Sequence, residues 1–385
     1  MTYNVPSISL DDAVLLATTY IKAGIVPCLI SAPGIGKTTS AHRIAAALGA
    51  QLRPIRLNNI PPEEVTGLQY IDREGSRSTY LPPKWMPNPD GTDGPVLVFI
   101  DEITQAPDEN RKAIMSALIE RYLGDTRIPD NCYFMVAGNS VNDGTNVYEF
   151  DRATADRFGV ILVKTDVEKW CNDYAPQKEI DLSIVTFLRL RPDLFEMSEM
   201  LAESDNVVGA SPRSWEAIDQ FIKQSRKDGL REDLINAGIM GKAGQEVGTA
   251  YASVREQVGQ LKSVADLADM TPLERRKHRP TTLAALWTYC QGMIWYGTDE
   301  KKCQTVFEIL ESFQDIEDVP FFEVRFTVAE LLLTRAVDLH GVKTIFENVE
   351  MQRLLEKWTV EMDNVVKPAD VGAAANEGEA VRYAA

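Results

Sequence analysis

A glycine-rich loop between an apolar run and a helix-prone run constrains the fold of this chain more than any other feature. The loop reads Ser-Ala-Pro-Gly-Ile-Gly-Lys-Thr over residues 31–38, after the apolar run 26–30 and before the run 39–48. Strand, glycine-rich loop and helix in this order are typical of a phosphate-binding loop, where backbone N–H groups and the positive end of the helix dipole meet the phosphates. Ser31 stands where the usual pattern has its first glycine, and the pattern is met from Gly34 onward.

The residue types in this loop predict how it holds a nucleotide. Gly34 and Gly36 let the backbone approach the phosphates closely and take positive φ. Lys37 is expected to pair with the β- and γ-phosphates, and Thr38 is expected to bind Mg²⁺. The predicted nucleotide-binding residues are Pro33, Gly34, Ile35, Gly36, Lys37, Thr38, Thr39 and, from a later strand, Asp101.

An acidic pair, Asp101-Glu102, follows the continuous apolar run 96–100. Such a run without alternation predicts a central parallel strand that is buried on both faces. The carboxyl edge of such a strand is where open α/β sheets bind ligands. Asp101 is therefore expected to hold the Mg²⁺ shell, and Glu102 to orient and polarise the water that attacks the γ-phosphate. A helix-capping acid is the structural alternative for this pair.

Two further strands and a helix start follow along the chain. The apolar run 133–137 precedes Asn139, which can hydrogen-bond the attacking water or a γ-phosphate oxygen, or else serve as a turn residue. The run 159–163 follows the segment Asp-Arg-Ala-Thr-Ala-Asp-Arg-Phe at 151–158. Ser211 and Pro212 suit the N-cap and the first turn of a helix that begins beside Arg213.

The order of these parts resembles that of the AAA+ ATPases, and within them the chain is most similar to the MoxR group. The similarity spans about residues 25–225 and includes the stretches Pro-Pro-Glu-Glu-Val-Thr-Gly-Leu at 61–68, Leu-Pro-Pro-Lys-Trp at 81–85, Asp-Glu-Ile-Thr-Gln-Ala at 101–106, Ala-Asp-Arg-Phe at 155–158 and Ala-Ser-Pro-Arg at 210–213. The segment 60–85 resembles the helix-2 insert of this clade, which tends to face the pore or the substrate.

The resemblance implies an ATPase that uses ATP and Mg²⁺ and forms a homo-oligomeric, commonly hexameric, ring. It also implies a chaperone or remodelling role beside a protein partner with a von Willebrand A domain. By position, Lys37 and Thr38 match the phosphate-loop lysine and hydroxyl, Asp101 and Glu102 match the Mg²⁺-associated and catalytic acids, and Asn139 matches the first sensor.

The arginines carry the remaining catalytic roles that the resemblance implies. Arg213 matches the second sensor. Arg157 is the preferred arginine finger, which reaches the γ-phosphate of a neighbouring subunit, and Arg152 in the same loop is its rival. A surface ion pair is the structural alternative for each arginine.

Composition separates the remaining classes of function. The chain has 385 residues and a formal charge of −17, which disfavours a protein that coats nucleic acid. A nucleic-acid-remodelling AAA+ motor, such as a helicase loader or a McrB-like translocase, stays an alternative. A nucleotide-gated scaffold with negligible turnover is the second alternative. The basic run 275–279 is expected to be solvated.

The pattern along the chain predicts an α/β fold, with a parallel sheet that has helices on both faces, followed in sequence by a helical lid and a C-terminal helical region. The predicted regions are a nucleotide-binding domain at 1–165, a lid at 166–260, a linker and C-terminal helical region at 261–363, and a disordered tail at 364–385. Ser9 or Asp11 is expected to cap the first helix. Five cysteines without a CxxC pair, no signal-peptide pattern and no apolar run of 18 residues predict a cytoplasmic protein that neither spans nor binds a membrane.

Overall fold

The computed structural model describes residues 5–72, 77–88, 90, 92–123, 126–139, 156–202, 206–313, 324–332 and 348–366. The chain divides into two compact units, Met1–Ser253 and Val254–Ala385. The first unit contains the sheet and the candidate site. No helix within the described ranges is both long and apolar enough to cross a membrane.

A six-stranded parallel sheet is the centre of the first unit, as the sequence predicts. The strands are β1 (Ser7–Ile8), β2 (Val26–Ser31), β3 (Gln51–Arg56), β4 (Leu68–Asp72), β5 (Arg77–Leu81), β6 (Val96–Asp101), β7 (Tyr122–Leu123), β8 (Thr126–Arg127), β9 (Cys132–Asn139) and β10 (Phe158–Val163). The strand order in the sheet is β1-β10-β2-β9-β6-β3, and two short antiparallel hairpins, β4-β5 and β7-β8, are separate from it. The two-residue edge strand β1 is not predicted from the sequence.

Each central strand is buried on both faces, which explains why its sequence is apolar without alternation. In β6, Val96, Val98 and Ile100 belong to one hydrophobic cluster. Leu97 and Phe99 of the same strand belong to a second cluster on the other face. Because period-two alternation sends neighbouring residues to opposite faces, both sets must be apolar when helices cover both sides.

Helices surround the sheet and form the lid region of the first unit. They are α1 (Leu10–Lys22), α2 (Lys37–Leu48), α3 (Pro62–Thr66), α4 (Asp108–Ile119), α5 (Val167–Lys169), α6 (Ala175–Gln177), α7 (Leu182–Leu190), α8 (Ser198–Ala202), α9 (Pro212–Lys227), α10 (Glu232–Ala243) and α11 (Gln245–Gly259). The boundary between the two units falls within α11. Ser9, rather than Asp11, caps α1, because its side chain accepts from the N–H of Asp12. Leu15 of α1 is 69% exposed.

Three aromatic rings hold the lid helices together. Trp215 and Tyr251 are fully buried, and the ring of Phe187 lies 5.5 Å from each of them. The indole N–H of Trp215 donates to the carbonyl of Leu194 at 3.2 Å. These aromatic side chains therefore form a packed core.

The part of the second unit that the structure describes is helical. Its further helices are α12 (Val264–Ala268), α13 (Pro272–Lys277), α14 (Leu283–Tyr296), α15 (Glu300–Ser312), α16 (324–332) and α17 (Val349–Val366). The stacked rings of Phe307 and Trp358, 5.4 Å apart, lie in its core. Most of the predicted disordered tail, from residue 367 onward, lies outside the described residues.

The first part of the predicted linker and C-terminal region, residues 261–281, contains two of these helices. The expectation of a solvated basic run at 275–279 is wrong at Arg275. Arg275 is only 4% exposed. Its guanidinium donates to the carbonyls of Leu267 and Ala268 at 2.8 and 3.0 Å, at the end of α12. A cation at a helix C-terminus satisfies carbonyls that have no partner within the helix.

Candidate active site

The sheet order brings the predicted phosphate loop, acidic pair and sensor strand together at one edge. Strand β2 lies beside β9, and β9 lies beside β6, all parallel. Their carboxyl ends carry Ser31, Asn139 and Asp101, so residues far apart in sequence meet where the order of the sheet reverses around β2. This is the position at which open α/β sheets bind ligands.

The phosphate loop has the backbone that its glycines predict. Gly34 and Gly36 have φ of 84° and 104°, in the region that favours glycine. Gly36 is the N-cap of α2, and Lys37 is the first residue of that helix. Pro33 and Ile35 lie within the loop, and Thr38 and Thr39 are exposed in the first turn of α2. The first N–H groups of a helix have no acceptor within the helix, and here they belong to the turn that follows the phosphate loop.

The ammonium group of Lys37 is held among oxygen atoms. It donates to the carbonyl oxygens of Ser31 and Ala32 at 3.2 and 3.3 Å, and to the Ser31 hydroxyl at 3.2 Å. Its Nζ also donates to Oδ1 of Asn139, at 2.7 Å. Lys37 is 9% exposed. The structure thus brings the predicted phosphate-binding lysine and the predicted sensor into direct contact.

The acidic pair lies at the end of β6. Burial raises the pKa of the Asp101 carboxyl, and the nearby Lys37 ammonium and the Glu102 N–H, which donates to Asp101 Oδ1 at 3.0 Å, act in the opposite direction. Glu102 has φ of 59°, which is unusual for a residue with a side chain. Backbone strain of this kind often occurs at functional sites, so it supports a role for Glu102 beyond capping.

These residues fit a magnesium-bound nucleoside triphosphate. The N–H groups at the start of α2 and the buried Lys37 ammonium would hold the phosphates. The Thr38 hydroxyl and the Asp101 carboxylate are oxygen ligands of the kind that Mg²⁺ prefers. The bound ion would neutralise charge on the phosphates.

Arg213 lies directly against the phosphate loop. A Cβ atom built on Gly34 would lie 3.1 Å from Cβ of Arg213 and 3.4 Å from its backbone nitrogen. Helix α9 starts here with Ser211 as N-cap and Pro212 in its first turn, as predicted, and Ser214 completes a capping box. The lid region therefore carries the predicted second sensor to the nucleotide edge.

Arg157 lies at the opposite edge of the sheet. It is exposed and immediately precedes Phe158, the first residue of β10, which is 7% exposed and anchored in the core. Phe158 is in register with Val26, whereas the phosphate loop follows Ser31. Five residues of parallel strand span about 16 Å. Arg157 therefore does not join the nucleotide edge of its own chain, and its rival Arg152 lies outside the described residues.

Two residues at the carboxyl ends of the strands, where Lys37 and Asn139 meet, were not among the predicted site residues. Ser31 is noted in the sequence only as a departure from glycine, yet its hydroxyl accepts from Lys37. Thr104 is 1% exposed, and its hydroxyl accepts the N–H of Asn139 at 3.0 Å. Thr104 stands beside another polar residue, Gln105, in the turn after the acidic pair, so no pattern along the chain distinguishes it.

A family model matches the part of the chain that contains this site. Residues 27–160 match the model of the family described as "ATPase family associated with various cellular activities (AAA)". A Lon protease of Brevibacillus choshinensis is 29% identical over 165 residues, which cover 38% of this chain and 19% of that protein. The chain thus spans about a fifth of the length of that relative.

Two solved structures resemble the chain at low similarity. One is a Cytophaga hutchinsonii protein named as an ATPase, with 13% identity and a TM-score of 0.31 over 84% of this chain and 90% of that chain. The other is the Thermotoga maritima RuvB Holliday junction branch migration motor, with 17% identity and a TM-score of 0.32 over 64% of this chain and 66% of that chain. TM-scores this low carry no argument about function.

The family match and the site agree on the same residues. The matched segment 27–160 contains the phosphate loop, the acidic pair and Asn139, and it covers strands β3 to β9 and most of β2. The predicted enzyme class, an ATPase, is confirmed at the level of this domain. Residues 27–160 are thus similar to the ATPase domain of the AAA family.

Proposed function

We propose that this chain is a MoxR-type AAA+ ATPase that hydrolyses ATP to remodel a protein partner. The observation that carries the proposal is the meeting of Lys37, Asn139 and the pair Asp101-Glu102 at the carboxyl ends of three neighbouring strands. Lys37 binds the phosphates, Glu102 polarises the attacking water and Asn139 orients it. Positioning and charge stabilisation are the main demands of phosphoryl transfer, and this set of groups supplies both.

The position of Arg157 supports a ring in which neighbouring subunits complete each other's sites. One arginine finger accelerates phosphoryl transfer by about 10³–10⁵-fold. In this chain the exposed Arg157 lies at the amino edge of the sheet, about 16 Å of strand away from the phosphate loop. A finger at that edge serves the site of the next subunit, and a hexamer is the ring that the MoxR resemblance implies.

An exposed apolar hairpin supports a protein as the partner. Strands β4 and β5 form the insert between β3 and β6, and Leu68, Ile71 and Leu81 are 60%, 76% and 53% exposed. The base of the insert is fixed, because the indole N–H of Trp85 donates to the Val65 carbonyl at 3.2 Å. Exposed apolar residues on a firmly held hairpin are typical of a protein-contacting surface. A partner with a von Willebrand A domain and a cytoplasmic location stay predictions.

Turnover of ATP by the purified full chain tests the proposal. Phosphate release is measured with saturating ATP and Mg²⁺ over a wide range of protein concentrations. We expect activity per subunit to rise with concentration, because the finger comes from a neighbour. Negligible turnover at every concentration would favour the nucleotide-gated scaffold. A salt-dependent shift of labelled DNA would favour the nucleic-acid motor.

The partner is tested with matched surface variants. The full chain is co-expressed with candidate partners that contain a von Willebrand A domain, and complexes are isolated in ATP. We expect Leu68→Ser with Ile71→Ser to lose the complex while basal turnover stays within about twofold. Leu15→Ser, at the 69% exposed Leu15 of α1, is the control for loss of an exposed apolar residue. Equal binding by the hairpin variant and the control contradicts a role for the hairpin.

A further inference from the structure

Thr104 is a buried polar residue that belongs to the turn directly after the acidic pair. It lies in the short 3₁₀ helix Ile103–Gln105 and is 1% exposed. Its hydroxyl oxygen lies 3.0 Å from the backbone nitrogen of Asn139, which donates to it, and 3.5 Å from the carbonyl oxygen of the same residue. One side chain thus bridges the loop of the catalytic acid and the tip of the sensor strand.

The path of the backbone explains why a side chain is needed there. The ladder between β6 and β9 ends at the pair Ile100 and Val136, but β9 continues to Asn139. After Asp101 the chain turns away at Glu102, where φ is 59°. The backbone of β6 therefore offers no acceptor beside the N–H of Asn139. The Thr104 hydroxyl takes that place, which satisfies a partly buried donor that would otherwise cost free energy.

Gly138 makes this contact possible. A Cβ atom built on Gly138 would lie 2.6 Å from Cγ2 of Thr104 and 2.9 Å from its hydroxyl oxygen. The φ of Gly138 is not positive, so glycine is required here to leave space for the Thr104 side chain and not for its backbone conformation. The absence of a side chain at position 138 lets Thr104 close onto the end of β9.

The bond from Thr104 leads to the phosphate loop through one residue. Asn139 receives the Thr104 contact on its backbone, and its Oδ1 accepts from Nζ of Lys37 at 2.7 Å. We propose that Thr104 is a positioning residue for hydrolysis: its hydroxyl sets the orientation of Asn139 relative to Lys37 and ties it to the Glu102 loop. This inference rests on the proposed ATPase function and adds a residue to its mechanism.

The proposal predicts a selective effect on the chemical step. Binding of the phosphates depends on Lys37 and the loop N–H groups, whereas the orientation of Asn139 matters for the attack of water. Thr104→Val keeps the shape of the side chain and removes the acceptor. We expect its kcat to fall on the order of tenfold or more, with KM and the Kd for ATP within about threefold of wild type. Thr104→Ser keeps the hydroxyl and should retain at least half of kcat.

A matched control separates this role from general stability. Thr18 is 8% exposed, and its hydroxyl donates to the Val14 carbonyl within α1. Thr18→Val should change the melting temperature without changing kcat. If Thr104→Val keeps kcat within twofold of wild type, or if Thr104→Ser loses as much kcat as Thr104→Val, the proposal is overturned. Wild-type protein without ATP turnover would overturn the proposed function, and this inference with it.

Gly138 gives a second test that does not depend on Thr104→Val folding. Gly138→Ala places a methyl group against Cγ2 of Thr104 and should lower kcat while it leaves the Kd for ATP nearly unchanged. In the Thr104→Ser background Cγ2 is missing, so the same alanine should cost several-fold less kcat. An equal loss of kcat from Gly138→Ala in both backgrounds would overturn the proposed contact.

Discussion

Glu102 combines a predicted catalytic role with backbone strain, so two substitutions at this position should separate activity from stability. Glu102→Gln and Glu102→Gly both remove the carboxylate, and each should lower turnover by about 10²–10⁴-fold while ATP still binds. The φ of 59° at Glu102 costs a residue with a side chain about 1–2 kcal/mol. Glycine relieves that cost but loses about 0.5–1 kcal/mol to the greater freedom of the unfolded chain.

The net expectation is that Glu102→Gly is more stable than Glu102→Gln by about 0.5–1 kcal/mol, the difference between these two terms. This corresponds to a rise in melting temperature of about 1–4 °C for a unit of this size. Thermal unfolding without nucleotide measures the stability, and single-turnover hydrolysis measures the activity. Glu109, in the first turn of α4, is the control, because glycine at a helical φ should destabilise relative to glutamine.

The catalytic role of Glu102 and the strain in its backbone can each be refuted without the other. Hydrolysis by Glu102→Gln within a few-fold of wild type would refute the assignment of Glu102 as the group that polarises water. The inferred backbone strain would be refuted if Glu102→Gly were less stable than Glu102→Gln by as much as Glu109→Gly is less stable than Glu109→Gln.

Three further variants test the rest of the site. Lys37→Ala should weaken ATP binding by about 10- to 100-fold, because a charge-assisted bond to the phosphates is lost, and should abolish ATP-dependent assembly. Titration with a fluorescent ATP analogue measures the binding, and size analysis measures the assembly. Unchanged assembly would place Lys37 away from the phosphates. Ser31→Ala removes one acceptor that holds Lys37 without nucleotide, so ATP should bind about 2- to 5-fold more tightly in the same titration, and weaker binding contradicts this. Arg157→Ala should bind ATP but hydrolyse it poorly, and mixing it with Glu102→Gln subunits should restore part of the activity, since the intact Arg157 of one subunit then serves the intact Glu102 of its neighbour. If the subunits mix and no activity returns, Arg157 does not act in trans.

Local patterns in the sequence predicted the fold because each depends on few neighbours. The continuous apolar run before Asp101 predicted a strand buried on both faces, and Ser211 followed by Pro212 predicted a helix start. Contacts that depend on tertiary packing could not be read in this way. Arg275 looked like part of a solvated charge run, but its contacts with the end of α12 appear only once the two helices pack together.

The same distinction applies to the candidate site. Asp101 and Asn139 were predictable because a polar residue at the end of an apolar strand is a pattern along the chain, and Lys37 was predictable from the glycine-rich loop. The contact of Lys37 with Asn139 joins residues 102 positions apart and depends on the order of the strands. Thr104 was missed for a related reason: its role depends on where the ladder between β6 and β9 stops, and only the register of the two strands shows that.

The contact between the lid and the phosphate loop bears on how hydrolysis could move a partner. A methyl group on Gly34 would meet Cβ of Arg213 at 3.1 Å, so the loop and the start of α9 touch without spare room. The capping box between Ser211 and Ser214 fixes the first turn of that helix, and Pro212 limits its backbone further. A shift of the loop toward α9 when phosphates bind or leave therefore presses on Arg213. We expect it to displace the start of α9, and the packed rings of Trp215, Phe187 and Tyr251 then carry the displacement through the lid as a unit.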